Sequence, residues 1–379
     1  MDAATPLLKK NRAFLCLECG KCTAVCPISR HNDHYSPRRL VAEGLFYGHE
    51  ELVKNSLLWS CLTCLLCSQR CPVDVKYSDY MHDLRAMAHN QGITGCPTHG
   101  GALHYIMEMA AAPGLTQNRT GWITDDLKVA EKGEVLYFVG CLPYYEELFG
   151  KELSFSPVGI ARDTVRILNH IGIEPAVLSN ERCCGHDLYW LGQMETFAEL
   201  ARLNREAILA TGAKTVVTAC AECALTLKNL YVGLGGPLPF AVKHISELVT
   251  EKIDRFRFKR QELRLSFHDP CRLGRFLGVY EPPRQALGAI PGIELREMVH
   301  NRRGAICCGT TNWTNCDGTS KKMQFERLSE ARAAGADLMV TACPKCQIHF
   351  RCSECGEGIP KVNVKMTDLV NIIASALEG

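Results

Sequence analysis

The apolar positions of the chain keep a different rhythm on the two sides of a Gly- and Pro-bearing stretch from Gln91 to Gly133. Before it, they support helices: one over Pro37 to Tyr47, and one carrying Tyr80, Met81, Leu84, Met87 and Ala88 on a single face. After it, the run Val135 to Val139 predicts a buried strand and Val158 to Ile171 an amphipathic helix. Strand and helix go on alternating in this way, which predicts α/β layers. The segment Gly212–Cys223 (GAKTVVTACAEC) returns roughly 123 residues later as Gly335–Cys346 (GADLMVTACPKC). Each copy is predicted to follow a helix and end a strand. A period this long signals a duplicated domain, since solenoid units are shorter. The predicted class is α+β/α/β: a helical domain over residues 1–90, a connector over 91–133, and two copies of an α/β unit over 134–250 and 260–379.

Charge narrows the picture only a little. Lys plus Arg (43) nearly balance Asp plus Glu (41), which leaves no broad basic field for nucleic acid or an anionic membrane. There is no run of eighteen uncharged apolar residues and no core of secretory-signal length near Met1 to Phe14, so a cytoplasmic location is expected. The 22 cysteines change the picture most. Disulfide scaffolds suit small secreted domains, whereas a long chain among reduced thiols spends cysteine on soft metal, either zinc or iron–sulfur clusters.

Spacing separates these for the first part of the chain. Cys16, Cys19, Cys22 and Cys26-Pro27 form C-x2-C-x2-C-x3-C-P, and Cys61, Cys64, Cys67 and Cys71-Pro72 repeat it unchanged. In such runs three close cysteines take three corners of one [4Fe–4S] cube and the fourth ligates the other. Cys16, Cys19, Cys22 and Cys71 are therefore expected to hold one cubane cluster, and Cys61, Cys64, Cys67 and Cys26 the second. A pair of zinc knuckles is the alternative, and zinc rarely takes four cysteines this close twice over. Each copy of the later repeat carries five cysteines in one order: Cys141, Cys183-Cys184-Gly185 and Cys220-x2-Cys223, then Cys271, Cys307-Cys308-Gly309 and Cys343-x2-Cys346. Adjacent cysteines rarely pair with each other without strain, but neighbouring thiolates can ligate different irons of one cluster. Isolated buried cysteines are the bland reading, which two matched quintets disfavour.

With its Cys-Cys-Gly motifs and two complete quintets, the chain resembles the CCG-domain iron–sulfur proteins, whose best-known members belong to heterodisulfide reductase. Residues 1 to about 90 are similar to the small ferredoxin-type (C-type) component of that enzyme, and residues 134 to 350 to its B-type component. They are joined in the order of the fused, D-type form. The resemblance implies two noncubane [4Fe–4S] clusters, one per quintet, and reduction or formation of a disulfide or related thiol substrate. It also implies that the chain is one part of a multisubunit complex. His268, three residues before Cys271, is a candidate catalytic group that donates a proton or orients a thiol; a hydrogen-bonded structural histidine is the other reading. Asp269 is a candidate turn cap. The second motif continues Cys308-Gly-Thr-Thr-Asn-Trp313, with Cys316 close behind, and Cys96 carries no role. Cys352 and Cys355 add a further C-x2-C, so Cys343, Cys346, Cys352 and Cys355 form an alternative zinc site. No G-x-G-x-x-G after a strand and no G-x4-G-K-[ST] loop is present, so electrons are expected from a redox partner: a flavoprotein, hydrogenase, formate dehydrogenase or cytochrome b-type membrane protein. Such a partner would dock near the ferredoxin domain and place the chain peripherally at the inner membrane. The competing function is a pure electron relay, as in benzoyl-CoA reductase, glycolate or lactate oxidation and sulfate-reducer membrane complexes.

Overall fold

The computed structural model describes residues 4–355 and 361–378. They form two compact units, each assembled from separated stretches of chain: residues 4–109, 185–197 and 306–324 in one, and 110–184, 198–305, 325–355 and 361–378 in the other.

The first unit is helical. Ser36 caps the helix Pro37–Phe46 by accepting a hydrogen bond from the Arg39 N–H at 3.2 Å, and Pro37 occupies the first turn, where its missing N–H costs nothing. The helix Tyr77–Asn90 buries Tyr80, Met81, Leu84 and Ala88, as their spacing predicts. The stretch read as a connector differs from expectation: it contains a helix, Ala102–Met109, which buries Leu103 and Met107. Gly100 and Gly101 just before it, both with positive φ, and Pro113 soon after it punctuate so short a helix that its period is hard to see in the sequence.

The second unit holds two parallel sheets. Strands β1 (Val135–Tyr137), β2 (Thr215–Thr218) and β3 (Ala241–His244) pair in the order β1-β2-β3. Strands β4 (Leu263–His268), β5 (Ile293–Leu295), β6 (Leu338–Thr341) and β7 (Lys365–Asp368) pair in the order β5-β4-β6-β7. The duplication is visible in register, because Val216 pairs with Val242 in one sheet and Met339 with Met366 in the other. Each half closes on a short helix after its last strand, Ile245–Glu251 and Leu369–Ser375. The halves differ at one edge, where β5 is matched in the first sheet only by a bridge from Leu136 to Ala176. The helix Pro157–His170, capped by Ser156, buries Ile160, Ala161, Val165 and Leu168 against the core. No helix among the described residues is long and apolar enough to cross a membrane.

Candidate iron–sulfur sites

The two ferredoxin-type runs line two cavities of the first unit. One is lined by Cys16, Cys19, Cys22 and Cys71, together with Cys67, Lys21 and Arg38. The other is lined by Cys26, Cys61, Cys64 and Cys67. In each, a run contributes three cysteines and the distant run its fourth, because the residue before each proline turns away in an extended conformation: Cys26 has φ −70° and ψ 120°, and Cys71 φ −74° and ψ 120°. The second set is wholly buried, whereas Cys19 is exposed and Cys16, Cys22 and Cys71 half-buried.

Burial pushes the Cys26 thiol up to about 12 and raises Cys61 and Cys67 as well. Thiolates this deep need positive charge beside them, which iron supplies, so the donor set fits a soft metal cluster. The protein adds its own compensation. The backbone N–H of Thr63 donates to Cys61 Sγ and that of Val75 to Cys71 Sγ, both at 3.3 Å. Arg85, fully buried on the helix Tyr77–Asn90, donates to the carbonyls of Cys61 at 2.6 Å and Leu58 at 3.0 Å, and its charge works against the rise at Cys61. The Tyr35 hydroxyl bonds Cys61 too, and meets the hydroxyl of Tyr77 at 3.0 Å. Neither Arg85 nor the two tyrosines stands out in the sequence; a buried arginine in an amphipathic helix is the only trace.

In the second unit the first quintet converges. Cys141 Sγ lies 3.7 Å from Cys183 Sγ, and Cys184 bonds both Cys183 and Cys223, which lowers its thiol to about 7. Cys220 bonds Cys223. Cys141 lies beyond the strand: β1 stops at Tyr137, and Cys141 is the N-cap of the short helix Leu142–Tyr145. Gly140, with φ +68°, makes that turn, and a Cβ there would stand 2.9 Å from Cys223 Sγ. Glu181, two residues before the Cys-Cys pair, accepts the N–H of Val139 at 2.9 Å and of Gly140 at 2.7 Å, tying the two ligand loops together. Burial lifts its carboxyl to about 7 against the pull of Arg119, whose guanidinium lies 3.6 Å away and stacks on Tyr144. Asn204 and Tyr231 hold the carbonyls of Cys183 and Cys184, each at 2.9 Å.

Of the second quintet, Cys271, Cys343 and Cys346 belong to this unit, and Cys307 and Cys308 to the first. The buried thiols of Cys343 and Cys220 influence each other's titration, so the C-x2-C motifs of the two repeats adjoin. Between them Lys345 Nζ meets Glu222 Oε2 at 2.6 Å, a buried ion pair whose members occupy the same place in the repeat. The alternative zinc site is not formed. Cys346, Cys352 and Cys355 lie on one continuous helix, Pro344–Cys355, with Cys343 just before it. At about 1.5 Å rise per residue, its ends are far too distant for four thiolates to share a zinc ion. Asp269 is an anchor: it accepts from Arg284 at 2.7 and 2.9 Å and from the Arg302 N–H at 2.8 Å. His268 is fully buried; Arg327 Nε donates to its Nδ1 at 3.1 Å, and burial together with Arg327 and Arg275 drives its pKa well down, so it is neutral. In the first unit, Cys308 Sγ lies 3.8 Å from the Thr310 carbonyl, and Trp313 is buried with its carbonyl held by the Thr98 N–H at 2.7 Å. Cys96 is exposed, and its carbonyl accepts the Asn315 N–H at 3.0 Å beside half-buried Cys316.

A cysteine-rich CCG domain model matches residues 135–228 and 265–351, and a 4Fe-4S dicluster domain model matches 12–75. The chain is 30% identical to the D-type component of the dihydromethanophenazine:CoB--CoM heterodisulfide reductase of Methanosarcina acetivorans, over 96% of this chain and 93% of that one. It belongs to the D-type heterodisulfide reductase family of CCG-domain proteins. Another relative of this D-type protein is the B-type component of the fumarate reductase (CoM/CoB) of Methanothermobacter marburgensis, 29% identical over 92% of this chain and 70% of that one. A hypothetical protein from Helicobacter pylori shares the fold at a TM-score of 0.60 and 10% identity, over 99% of this chain and 77% of that one. As a D-type protein, the chain is an iron–sulfur oxidoreductase with a ferredoxin-like amino-terminal region and duplicated CCG domains, and its relatives work as subunits of larger reductases.

Proposed function

We propose that this protein belongs to a heterodisulfide-reductase-like complex, in which it carries out thiol–disulfide chemistry at its CCG domains. Cys16, Cys19, Cys22 and Cys71 would hold one cubane cluster and Cys61, Cys64, Cys67 and Cys26 another. Each CCG quintet would hold a noncubane cluster. The clusters supply one-electron steps, and a disulfide takes up two electrons and two protons to release two thiols. The observation that carries the reading is the buried ion pair of Lys345 Nζ with Glu222 Oε2 at 2.6 Å, which joins the two repeats at their C-x2-C ligand motifs. A pair of adjoining sites suits a reaction that needs one electron per sulfur, and a single wire has no use for it. The protein's own residues hold this arrangement: Glu181 fixes the Cys141 loop, Glu222 and Lys345 fix the motifs to each other, and Arg327 holds neutral His268 at the strand end before Cys271. Electrons would come from a redox partner in the same complex.

The test is iron and acid-labile sulfide per chain after anaerobic purification, followed by EPR of the oxidised protein with and without thiols. About sixteen irons and a new paramagnetic signal on adding a thiol are expected. About eight irons would sink the assignment of the CCG sites, and full iron with no thiol response would make the protein a relay.

A further inference from the structure

We propose that the face around Cys16, Cys19, Cys22 and Cys71 is the docking surface for the electron-exchange partner, and that this partner is a redox protein with an acidic rim around its own redox group. The inference rests on the iron–sulfur reading above and specifies its partner. The first observation is the difference in exposure: Cys19 reaches the surface while Cys26, Cys61, Cys64 and Cys67 are all buried, so the outer cysteine set is the electron port. Electron transfer weakens steeply with distance, and of the two ferredoxin-type sets this one lets another protein approach more closely.

The second observation is what surrounds the port. Phe14 and Leu17, on the chain flanking Cys16, are 53% and 65% exposed. Apolar side chains left in water beside a redox site form the centre of an interface. Around them stand Arg12, Lys21, Arg38, Arg70 and Lys76, with Glu18, Asp74 and Asp79 as neighbouring carboxylates. Asp74 is shared by Arg12 at 3.3 Å and Lys76 at 2.7 Å, and Glu18 is taken by Arg38 at 3.3 Å. Exposed Lys21 and Arg70, next to Cys22 and Cys71, have no ion-pair partner among the described residues. The whole chain is nearly neutral, at +2, so this basic rim is local. Its field would steer an acidic partner and repel a basic one.

The test uses the full, anaerobically loaded chain and stopped-flow mixing with two probes. A reduced acidic plant-type [2Fe–2S] ferredoxin passes one electron to the oxidised chain. In the other arm, the dithionite-reduced chain, freed of excess reductant, passes one electron to oxidised basic cytochrome c. The ferredoxin rate is expected to fall about tenfold between low and high salt, and about tenfold again in Lys21→Glu/Arg70→Glu at low salt. The same reversal should speed the cytochrome c reaction. Phe14→Ser/Leu17→Ser should slow the ferredoxin reaction about threefold at all salt concentrations. Lys132→Glu/Lys259→Glu, on the other compact unit, should change neither rate more than about twofold. Rates indifferent to salt and to the Lys21/Arg70 reversal, or moved equally by the control reversal, overturn the proposal. Iron content and the dithionite-reduced EPR spectrum of each variant are measured alongside: loss of the ferredoxin-type clusters from the unmodified chain would refute the iron–sulfur reading itself, whereas loaded clusters with indifferent rates refute only the docking face.

Discussion

The two CCG halves carry the same five cysteines and fasten them in opposite ways. In the first half the acid sits on the Cys-Cys side, where Glu181 grips the backbone of Val139 and Gly140 before Cys141. In the second, the position matching Glu181 is Ala305, whose carbonyl instead accepts from Arg275 at 2.6 Å. There the acid, Asp269, is on the loop before Cys271 and reaches to Arg284 and the Arg302 N–H. The turn residues differ likewise: Gly140 at positive φ precedes Cys141, and Pro270, with φ restricted by its ring, precedes Cys271. The duplication kept the ligands and let their supports diverge. Cluster ligation constrains the sulfurs, and any buried charge pair that fixes the loops will serve. Divergence also allowed one gain, since Glu222 and Lys345 took opposite charges at the same repeat position and so pair with each other.

This contrast can be broken most forcefully at that pair. Lys345→Met leaves Glu222 buried without its partner and is expected to cost about 3–5 kcal/mol in urea unfolding, while Glu222→Leu/Lys345→Met should recover most of it. A double variant as unstable as the single would show that the pair does not join the halves. Next, Glu181→Ala strips the acceptor from two buried N–H groups and leaves Arg119 without its carboxylate. It should cost about 2–4 kcal/mol and lower the iron content per chain without affecting the signals of the ferredoxin-type region. Gly140→Ala should cost about 2 kcal/mol through its positive φ and the crowding of Cys223, whereas Pro270→Ala, at the matching place, should cost less than about 1 kcal/mol. Equal losses would mean that the two turns are not built differently.

A further effect lies outside the repeats and serves as their control. Burial pushes Asp83 up, but hydrogen bonds from His82, Lys10 and Asn11 outweigh it and hold the carboxyl at about 2. Because its folded pKa is depressed, its contribution is complete above the unfolded value near 4 and disappears as the pH falls through 2. Asp83→Asn should therefore cost about 1–2 kcal/mol at pH 6, discounted for the exposed Lys10, and unfolding curves of variant and parent should draw together by pH 2.

The sequence by itself determined the chemistry. Metal-ligating thiolates must sit at fixed short spacings, so two C-x2-C-x2-C-x3-C-P runs and two matched quintets are legible without coordinates, as are the strands and amphipathic helices of the repeat. The short helix Ala102–Met109 was not legible, because the glycines and the proline around it mask so brief an apolar period. Nor was the failure of the Cys343, Cys346, Cys352 and Cys355 zinc site, since sequence spacing is silent on whether one unbroken helix carries the last three thiols apart. Tertiary structure alone decided which charges attend the sulfurs. Arg85 reaches Cys61, Arg119 reaches Glu181 and Lys345 reaches Glu222 across long stretches of chain, and the cost of burying a charge is met by whichever opposite charge or carbonyl the fold brings near. No local pattern encodes such a partner, because the requirement is set by depth and distance, and both arise only when the chain has folded.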